Sequence, residues 1–524
     1  MYGRLVENHA VDAQCLCSGH ILILVVDKND AARSDLHFFQ HCMAISISIT
    51  SLLSLRVVYN IYFHRLSRFP GPRYLAATDI SLSILQLRGT SQYVIRRAHE
   101  KYGPIVRVAP RTLSFIESSA WNEIYGFKNG RAALPKDPEF YNDMLLPDIT
   151  ITRASDDDAV PIRRAMNSAF SHKALLEQEP MIQSHIKRLL AQLELSSYGN
   201  REVDVRKWIT FSMFDINSDF GFGEDMGCVA SGSFHEWVQF VVDFFYAATL
   251  IHQCYKFSPL NKLLALCIPK STRERQVKHH EASLMRVRRR MSKQATRPDF
   301  MHHFVRSAEK EGLPTSVIEA QASIVILAGS ETTAVAVTGA MYYILSNPRV
   351  YANLRKELQG ICQTSADIRL RTILTQLPYL DAVVQETLRV HTPLANGFTR
   401  IVTDEAGLVI SGHFVPRGTV VWINHYCCNT ATQNFRDPLL FVPERWLGGK
   451  TYESDKREVV QPFSVGPRNC PGKMFALNNM KLLLTHLLWN FDMELCEGAK
   501  DWHVGQKVFN GWIQPALPIF LQKR

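Results

Sequence analysis

The sequence has few features of a protein held together by cysteines or metals. Its 524 residues include 11 cysteines at irregular spacing, with Cys15-x-Cys17 and Cys427-Cys428 as the only close pairs and no Cys-x-x-Cys. A disulfide framework and a structural zinc site are therefore not expected, and a reducing, cytosol-facing location fits best. The chain also lacks a flavin or dinucleotide fingerprint, so redox chemistry would need electrons from a separate protein.

Nucleic-acid binding lacks support as well, because no basic run is interleaved with aromatic residues and no zinc-finger spacing occurs. The net charge is nevertheless +10, from 59 Lys and Arg against 49 Asp and Glu. This balance favours an anionic membrane surface or an acidic protein partner. Apolar residues make up 46% and charged residues 21%, which is typical of a well-packed globular protein.

One long uncharged run follows an N-terminal segment, residues 1–35, that carries no recognisable motif. From Leu36 to Leu55, twenty residues contain no Asp, Glu, Lys or Arg, enough for a helix to cross about 30 Å of hydrocarbon. Basic residues follow from Arg56 onward, which by the positive-inside tendency leaves the downstream body in the cytosol. We predict a membrane anchor over residues 36–58, with a buried or interfacial amphipathic helix as the alternative.

A proline-rich segment separates this anchor from the rest of the chain. Pro70 and Pro72 fix their own backbone angles and restrict the preceding residues, so residues 59–75 are predicted to form a stiff hinge. The catalytic body is expected over residues 76–524. Within it, aromatic residues at 238–268 predict two helices covering a hydrophobic pocket, and ordinary core packing is the alternative.

The segment from Pro314 to Ser346 predicts one long, buried helix, roughly 48 Å in length. Asn347 and Pro348 then suit the N-cap and first turn of the next helix. The middle of the long helix reads Ala-Gly-Ser-Glu-Thr-Thr at 328–333, although Gly and β-branched residues are unfavourable there by up to about 1 kcal/mol. Such a local exception indicates function. Thr332 can donate a hydrogen bond and Glu331 can supply protons through water, and a buried helix without chemistry is the alternative.

A single cysteine, Cys470, lies on a loop that leads into an apolar helix. In the run Phe-Ser-Val-Gly-Pro-Arg-Asn-Cys, Phe463 can pack over the sulfur, Gly466 permits a tight turn and Arg468 brings a fixed charge. Helix N-termini and unpaired amides stabilise a thiolate. One thiolate with open space opposite is typical of an axial haem ligand, and an inert core cysteine is the alternative.

These motifs resemble those of the cytochrome P450 family. The order Phe-x-x-Gly-x-Arg-x-Cys-x-Gly ending at Gly472 resembles its haem-binding loop, and residues 328–333 match its Ala/Gly-Gly-x-Asp/Glu-Thr-Thr/Ser motif. Glu386 and Arg389 lie three residues apart and, with Arg445, resemble the family's Glu-Arg-Arg network that braces the haem loop. The resemblance covers about residues 59–524, and the run from Tyr59 to Arg73 resembles the anchor-to-body junction of fungal microsomal members.

The resemblance implies a single, mainly α domain with small β-sheets (an α+β fold) and a long central helix. Haem b would lie between that helix and the cysteine loop, with Cys470 as the axial ligand of its iron. It further implies that Arg468, Arg163 and Arg400 neutralise the haem propionates, and that Thr332 and Glu331 deliver protons. Electrons would come from NADPH through a partner reductase, at an endoplasmic reticulum membrane with the body facing the cytosol.

The sequence departs from the family pattern at three places. Ala159 stands where the family commonly has His or Trp four residues before Arg163, so a surface arginine is the alternative for Arg163. Cys428-Asn429-Thr430 replaces a common His-Arg-Asp run, and Asn479 replaces a usual Glu.

The function implied is a monooxygenase that inserts one oxygen atom of O2 into a hydrophobic small molecule. Fungal relatives suggest, by analogy, a terpenoid, polyketide or alkaloid pathway. A haem-thiolate isomerase or dehydratase without a reductase, and a non-enzymatic haem sensor, are the alternatives. Both would have less use for Thr332 and Glu331, and a requirement for NADPH and reductase would separate all three.

Overall fold

The computed structural model describes residues 28–127, 133–141, 149–233, 246, 248–257, 270–292 and 299–524. The chain divides into two compact units, residues 1–59 and 60–524. Residues 1–27 of the unassigned N-terminal segment, and much of the pocket cover predicted at 238–268, lie outside the described residues.

The first unit contains helix α1 (Lys28–Val58), which includes the whole predicted anchor. The helical path continues as a π-helix over Tyr59–Phe63. By length and composition, Phe39–Phe63 could cross a membrane, and none of its most apolar window is buried. Thr315–Leu345 passes the same test, but 78% of its window is buried, as expected of a core helix.

Helices dominate the second unit, as predicted. Its first helices are α2 (Arg73–Ala77), α3 (Asp79–Leu87), α4 (Ser91–Tyr102), α5 (Ser118–Ile124), α6 (Pro138–Tyr141), α7 (Asp156–Ala169), α8 (His172–Glu177), α9 (Glu179–Ser197), α10 (Val205–Phe222) and α11 (Cys228–Ser231). The later helices are α12 (Lys270–Ser292), α13 (Phe300–Lys310), α14 (Thr315–Leu345), α15 (Pro348–Ile361), α16 (Leu370–Gln376), α17 (Pro378–Val390), α18 (His425–Asn429) and α19 (Lys473–Asn490).

The strands of the described residues form small sheets. The strands are β1 (Ile105–Ala109), β2 (Thr112–Phe115), β3 (Val203–Asp204), β4 (Arg400–Ile401), β5 (Leu408–Ile410), β6 (His413–Val415), β7 (Val420–Ile423), β8 (Phe491–Leu495), β9 (Lys507–Phe509), β10 (Gly511–Ile513) and β11 (Pro518–Lys523). The largest sheet has the order β1-β2-β7-β4, in which β2 and β7 are parallel and the other pairs antiparallel. Its register pairs Ser114 with Trp422 and Arg400 with Val421.

The proline-rich segment is packed against β1. The N–H of Arg107 donates to Pro70 O at 2.8 Å, and a Cβ on Gly71 would overlap the carbonyl oxygen of Arg107. The buried guanidinium of Arg107 donates to Asn60 O at 2.8 Å and to Pro110 O at 2.6 Å. Backbone hydrogen bonds therefore hold this segment to the sheet.

Helix α14 is the central element of the larger hydrophobic core. Side chains all around it are buried, including Ile326, Ala334, Val337 and Met341, and it packs on α10 and α19. A helix that is apolar on all sides needs such surroundings. The helix runs without interruption through residues 328–333.

Glu386 is the centre of a buried ionic network that joins α17 to the irregular chain before the cysteine loop. Arg389 donates to both oxygens of Glu386 at 2.7 and 2.8 Å, and Arg445 donates to Oε1 at 3.0 Å. Trp446 Nε1 donates to Oε2 at 2.9 Å, and Arg445 also pairs with Asp455. Burial alone would raise the pKa of Glu386, but the two arginines together lower it.

The same arginines hold nearby main chain. Arg389 donates to Asn429 O at 2.8 Å, Pro438 O at 2.6 Å and Leu440 O at 2.9 Å. The departure from the family pattern at Asn429 therefore does not remove this contact, because its acceptor is a backbone carbonyl. The network fixes the course of the chain between α18 and the cysteine loop.

We predict that Glu386→Gln strongly destabilises the protein, because it leaves two buried guanidinium groups short of negative charge. Removing one partner of a buried ion pair costs about 3–5 kcal/mol. The measurement is the change in the free energy of unfolding in urea between wild type and the variant. Glu405→Gln is the matched control, since Glu405 pairs with Arg417 at the surface and should change stability by less than about 1 kcal/mol. Equal effects of the two substitutions would contradict a bracing role for Glu386.

Candidate active site

A cavity of about 300 Å³ lies between the middle of α14 and the cysteine loop. Its lining is mostly apolar, with Ile324, Ala328 and Ala336 from α14 and Leu394 and Phe398 from the chain before β4. Of the predicted site residues, the following line it: Thr332, Phe463, Arg468, Cys470, Arg163 and Arg400. The fold therefore brings together residues that are more than 300 positions apart in the sequence.

Cys470 is a free cysteine whose side chain lines the cavity. Its N–H donates to Phe463 O at 2.8 Å, which closes the loop. Burial raises the pKa of the Cys470 thiol, while the N–H of Gly472 and the charges of Arg163 and Lys473 act in the opposite direction. The backbone donor and the positive charges offset only part of the effect of burial, so the pKa of the thiol remains above its usual value.

Gly466 does not line the cavity but determines the shape of this loop. Its φ is +74°, and a Cβ there would overlap the carbonyl oxygen of Tyr125. Only glycine combines this backbone conformation with this close approach. The prediction of a tight turn at Gly466 agrees with this geometry.

Arg468 and Arg163 both connect the cysteine loop to α7. Arg468 donates to Asp156 Oδ1 at 2.9 Å and to Ser155 O at 2.6 Å, at the start of that helix. Its remaining nitrogen, Nη1, is buried and has no partner among the described residues. Arg163 donates to Asn469 O at 2.8 Å and also to the side-chain oxygen of Asn469, beside Cys470. The alternative of an exposed surface arginine at 163 does not fit these contacts.

Arg400 and Lys136 bring two more cations to the cavity. Arg400 is buried, donates to the hydroxyl of Tyr141 at 2.7 Å, and lies over the rings of Tyr125 and Tyr141. Lys136 forms an isolated antiparallel bridge with Arg400 and also lines the cavity. Sequence analysis missed Lys136 and Tyr141, and neither belongs to a motif that could have revealed it.

The wall of α14 carries the polar residues that the sequence motif predicts. Thr332 is exposed to the cavity, and its hydroxyl donates to Ala328 O at 2.7 Å, so its oxygen lone pairs remain available as acceptors. A Cβ on Gly329 would overlap Oδ1 of Asn217, which comes from α10 and lines the same cavity. Sequence analysis also missed Asn217, whose only signal is a polar residue in a largely buried helix.

Glu331 lies beside Thr332 in sequence but is not among the residues that line the cavity. It is buried, with Oε1 at 3.9 Å from Arg206 of α10 and with Oε2 lacking a partner among the described residues. Burial raises the pKa of Glu331, and Arg206 offsets part of that effect. A buried carboxyl of this kind can hold and release a proton nearer to neutral pH.

Taken together, the cavity has a thiol on one side, a hydroxyl on α14, an apolar lining and a group of cations. The thiol is a soft ligand for a transition metal, and the cations suit carboxylates. The apolar lining suits a hydrophobic ligand.

Comparison with known proteins shows which family the sequence resembles. The Cytochrome P450 family profile matches residues 72–522. The chain is 44% identical to "Cytochrome P450 monooxygenase astD" of Aspergillus oryzae (strain ATCC 42149 / RIB 40), over 92% of this chain and 94% of that protein. It is 38% identical to "Cytochrome P450 monooxygenase astA" of Talaromyces wortmannii, over 89% of this chain and 94% of that protein.

A further relative is a "Trichothecene C-15 hydroxylase" of Fusarium sporotrichioides, at 33% identity over 89% of this chain and 95% of that protein. The family implies haem b as the prosthetic group, a redox partner that supplies electrons from NADPH, and a hydrophobic small-molecule substrate. These matches extend over nearly the whole of the second unit and include the cysteine loop, the motif on α14 and the ionic network. The chain belongs to the cytochrome P450 family and is an oxidoreductase with a monooxygenase role in fungal secondary metabolism.

Proposed function

We propose that this monooxygenase would hold haem b in the cavity between α14 and the cysteine loop, with Cys470 as the residue that would ligate its iron, and that it hydroxylates a hydrophobic secondary metabolite. The observation that carries the proposal is a cavity with the Cys470 thiol, the Thr332 hydroxyl and a group of cations on an otherwise apolar wall. We further propose an NADPH-cytochrome reductase as the electron donor and a membrane as the location.

The residues present fit a haem group. Arg468 Nη1 is buried without a partner among the described residues, and Arg163, Arg400 and Arg468 all line the cavity. Two propionates are the anions such a set would accept. The Cys470 side chain faces the same cavity, where a thiolate can ligate iron.

Haem with a thiolate ligand, when bound, supplies the activation of O2, so that RH, O2, NADPH and a proton give ROH, water and NADP+. The protein supports this reaction through its own groups. The loop closed by Cys470 N–H and Phe463 O orients the sulfur, and the arginines that line the cavity would hold the propionates. Phe398, Leu394 and Ile324 exclude water and hold an apolar substrate.

Proton delivery is assigned to Thr332 and Glu331. Thr332 presents its hydroxyl to the cavity, where it can relay a proton. Glu331 can recharge that relay through water, because its Oε2 is unpartnered among the described residues and burial raises its pKa.

The substrate class follows from the lining and the relatives. The cavity offers mainly aliphatic and aromatic surface. One relative is named for the hydroxylation of a trichothecene and others as monooxygenases. We propose a terpenoid, polyketide or alkaloid of secondary metabolism as the substrate. An isomerase or dehydratase needs neither reductant nor the proton relay, so the Thr332 and Glu331 pair favours monooxygenation.

The experiment that tests the proposal is turnover of a panel of hydrophobic candidates, selected by the shift in haem spin state on binding. Product is expected only with NADPH, a reductase and O2. Cys470→Ser should abolish the thiolate-type spectrum of the reduced CO complex, because a hydroxyl is a much poorer anionic ligand than a thiol. Cys496→Ser is the matched control, since Cys496 is a buried free cysteine that does not line the cavity. An unchanged CO spectrum in Cys470→Ser would refute the assignment.

For the proton relay, we predict that Thr332→Ala and Glu331→Gln leave haem bound but uncouple NADPH consumption from product. Each should lower the product formed per NADPH by roughly 10²-fold, the lower end of the contribution expected of a proton-transfer group. Thr332→Ser keeps the hydroxyl and is the control that should remain coupled. The readout is the ratio of product to NADPH oxidised, and full coupling in Thr332→Ala would remove that residue from the relay.

The location is proposed to be the endoplasmic reticulum, with α1 as the anchor and the second unit facing the cytosol. The support is the exposed apolar run of Phe39–Phe63 and the basic residues that follow it. Deletion of residues 1–58 is expected to move the protein from the membrane pellet to the supernatant. Continued tight association with membranes at high salt would show that the anchor lies elsewhere.

A further inference from the structure

Lys136 is a charged residue of the cavity that belongs to none of the motifs discussed above. It is half-buried and lies on a short segment that pairs with β4. The N–H of Ile401 donates to Pro135 O at 3.1 Å, so the backbone fixes the point at which the lysine enters the cavity. Its side chain lines the cavity together with Arg468 and Arg400.

The ammonium group of Lys136 is held by backbone oxygens rather than by a carboxylate. It donates to Thr152 O at 2.6 Å and Ala154 O at 3.1 Å, with a long contact of 3.4 Å to Ile151 O. Among the described residues, no carboxylate lies within ion-pair distance of it. The third N–H is therefore weakly bound and available to a stronger, charged acceptor.

Most of the charges around Lys136 have the same sign as its own. Burial, followed by repulsion from Arg468 and Arg400, lowers the pKa of Lys136 to about 7, and Arg163 adds to this. Asp156 is the anion that opposes these effects, and it is already paired with Arg468. Tyr141 lies nearby with its ring 5.3 Å from the ammonium and is neutral. An incoming anion would offset this repulsion and favour the charged form of the lysine.

The partners expected from the family pattern do not account for all of this charge. Ala159 has no polar group where the family commonly has His or Trp, and Arg163 directs two nitrogens to Asn469. Arg468, Arg400 and Lys136 remain as cations with capacity for an incoming carboxylate. Lys136 and Arg468 donate hydrogen bonds to the same segment before α7, Lys136 to Ala154 O and Arg468 to Ser155 O.

We propose that Lys136 anchors the prosthetic group, binding a haem propionate beside Arg468 and Arg400 and thereby supplying the partner that Ala159 cannot. This inference rests on the proposed haem site but concerns a residue outside every family motif. The bond is an ammonium to carboxylate contact, and no covalent step is involved.

The test uses the full-length holoenzyme and measures the rate of haem transfer to excess apomyoglobin. Lys136→Gln is expected to lose haem about tenfold faster than wild type, equivalent to ~1.4 kcal/mol. Lys136→Arg keeps the charge and should remain within about threefold of wild type. Lys450→Gln, which replaces an exposed lysine, is the control and should not change the rate.

A second measurement separates an anchoring role from a structural one. Wild type and Lys136→Gln are each assembled with haem dimethyl ester, in which both propionates are uncharged. If Lys136 binds a propionate, the difference in transfer rate between the two proteins disappears with the ester. A tenfold difference that persists with the ester would show that the lysine acts only through the backbone carbonyls, and would overturn the proposal.

The remaining outcomes are also decisive. Equal haem loss from wild type and Lys136→Gln would overturn the anchoring role while leaving the monooxygenase proposal intact. Absence of a thiolate-type CO spectrum in wild type would instead refute the haem site itself. If Lys136→Gln yields no holoenzyme, Lys136→Arg decides: transfer near the wild-type rate supports a charge contact, and rapid loss overturns it.

Discussion

The buried carboxylate of Glu386 is the interaction on which the geometry of this protein most depends. It accepts hydrogen bonds from Arg389, Arg445 and Trp446, and Asp455 supplies the second negative charge that the arginines need. Two cations thus meet two anions, so the cost of removing them from water is largely offset. The four charges of this cluster sum to zero. Because the remaining guanidinium nitrogens bind backbone carbonyls, the cluster also stabilises the chain between α18 and the cysteine loop, which has little regular structure of its own.

The charges around the cavity, unlike those around Glu386, are not balanced. Arg163, Arg400, Arg468 and Lys136 line the cavity, and among the described residues Asp156 pairs with Arg468 and partly offsets the positive charge around Lys136. Such an excess of positive charge destabilises the protein when no ligand is bound, and an anionic ligand relieves it. Balanced buried charges hold this fold together, and unbalanced ones mark the place where the prosthetic group is proposed to bind.

The sequence was sufficient for those features that depend on local spacing. The long helix was predicted at 314–346 and occurs at Thr315–Leu345, and the Glu386 and Arg389 pair followed from a separation of three residues. Contacts between distant segments could not be predicted in this way. Lys136 reaches the cavity only through pairing with β4, and Asn217 only through packing of α10 on α14.

Competing hydrogen bonds explain other differences from expectation. Asn347 occupies the predicted N-cap position of α15, but its side chain donates to Tyr343 O at 2.7 Å instead of capping the helix. Asn479, where the family usually has Glu, donates to Phe475 O at 3.0 Å within its own helix. In both cases the side-chain amide donates to the carbonyl four residues earlier, in the preceding helical turn.

The positions of Thr332 and Glu331 show how one helix can serve both the cavity and the proton supply. Successive residues of an α-helix point about 100° apart, so Thr332 faces the cavity while Glu331 is directed toward Arg206 on α10. The acid is thereby kept out of the apolar space that the substrate needs. Since Gly329 has no side chain, Asn217 of α10 approaches the backbone of α14 closely at that position. In the proposed relay, a proton would therefore travel from Glu331 to Thr332 around the helix, along the polar contacts that Arg206 and Asn217 of α10 make with α14.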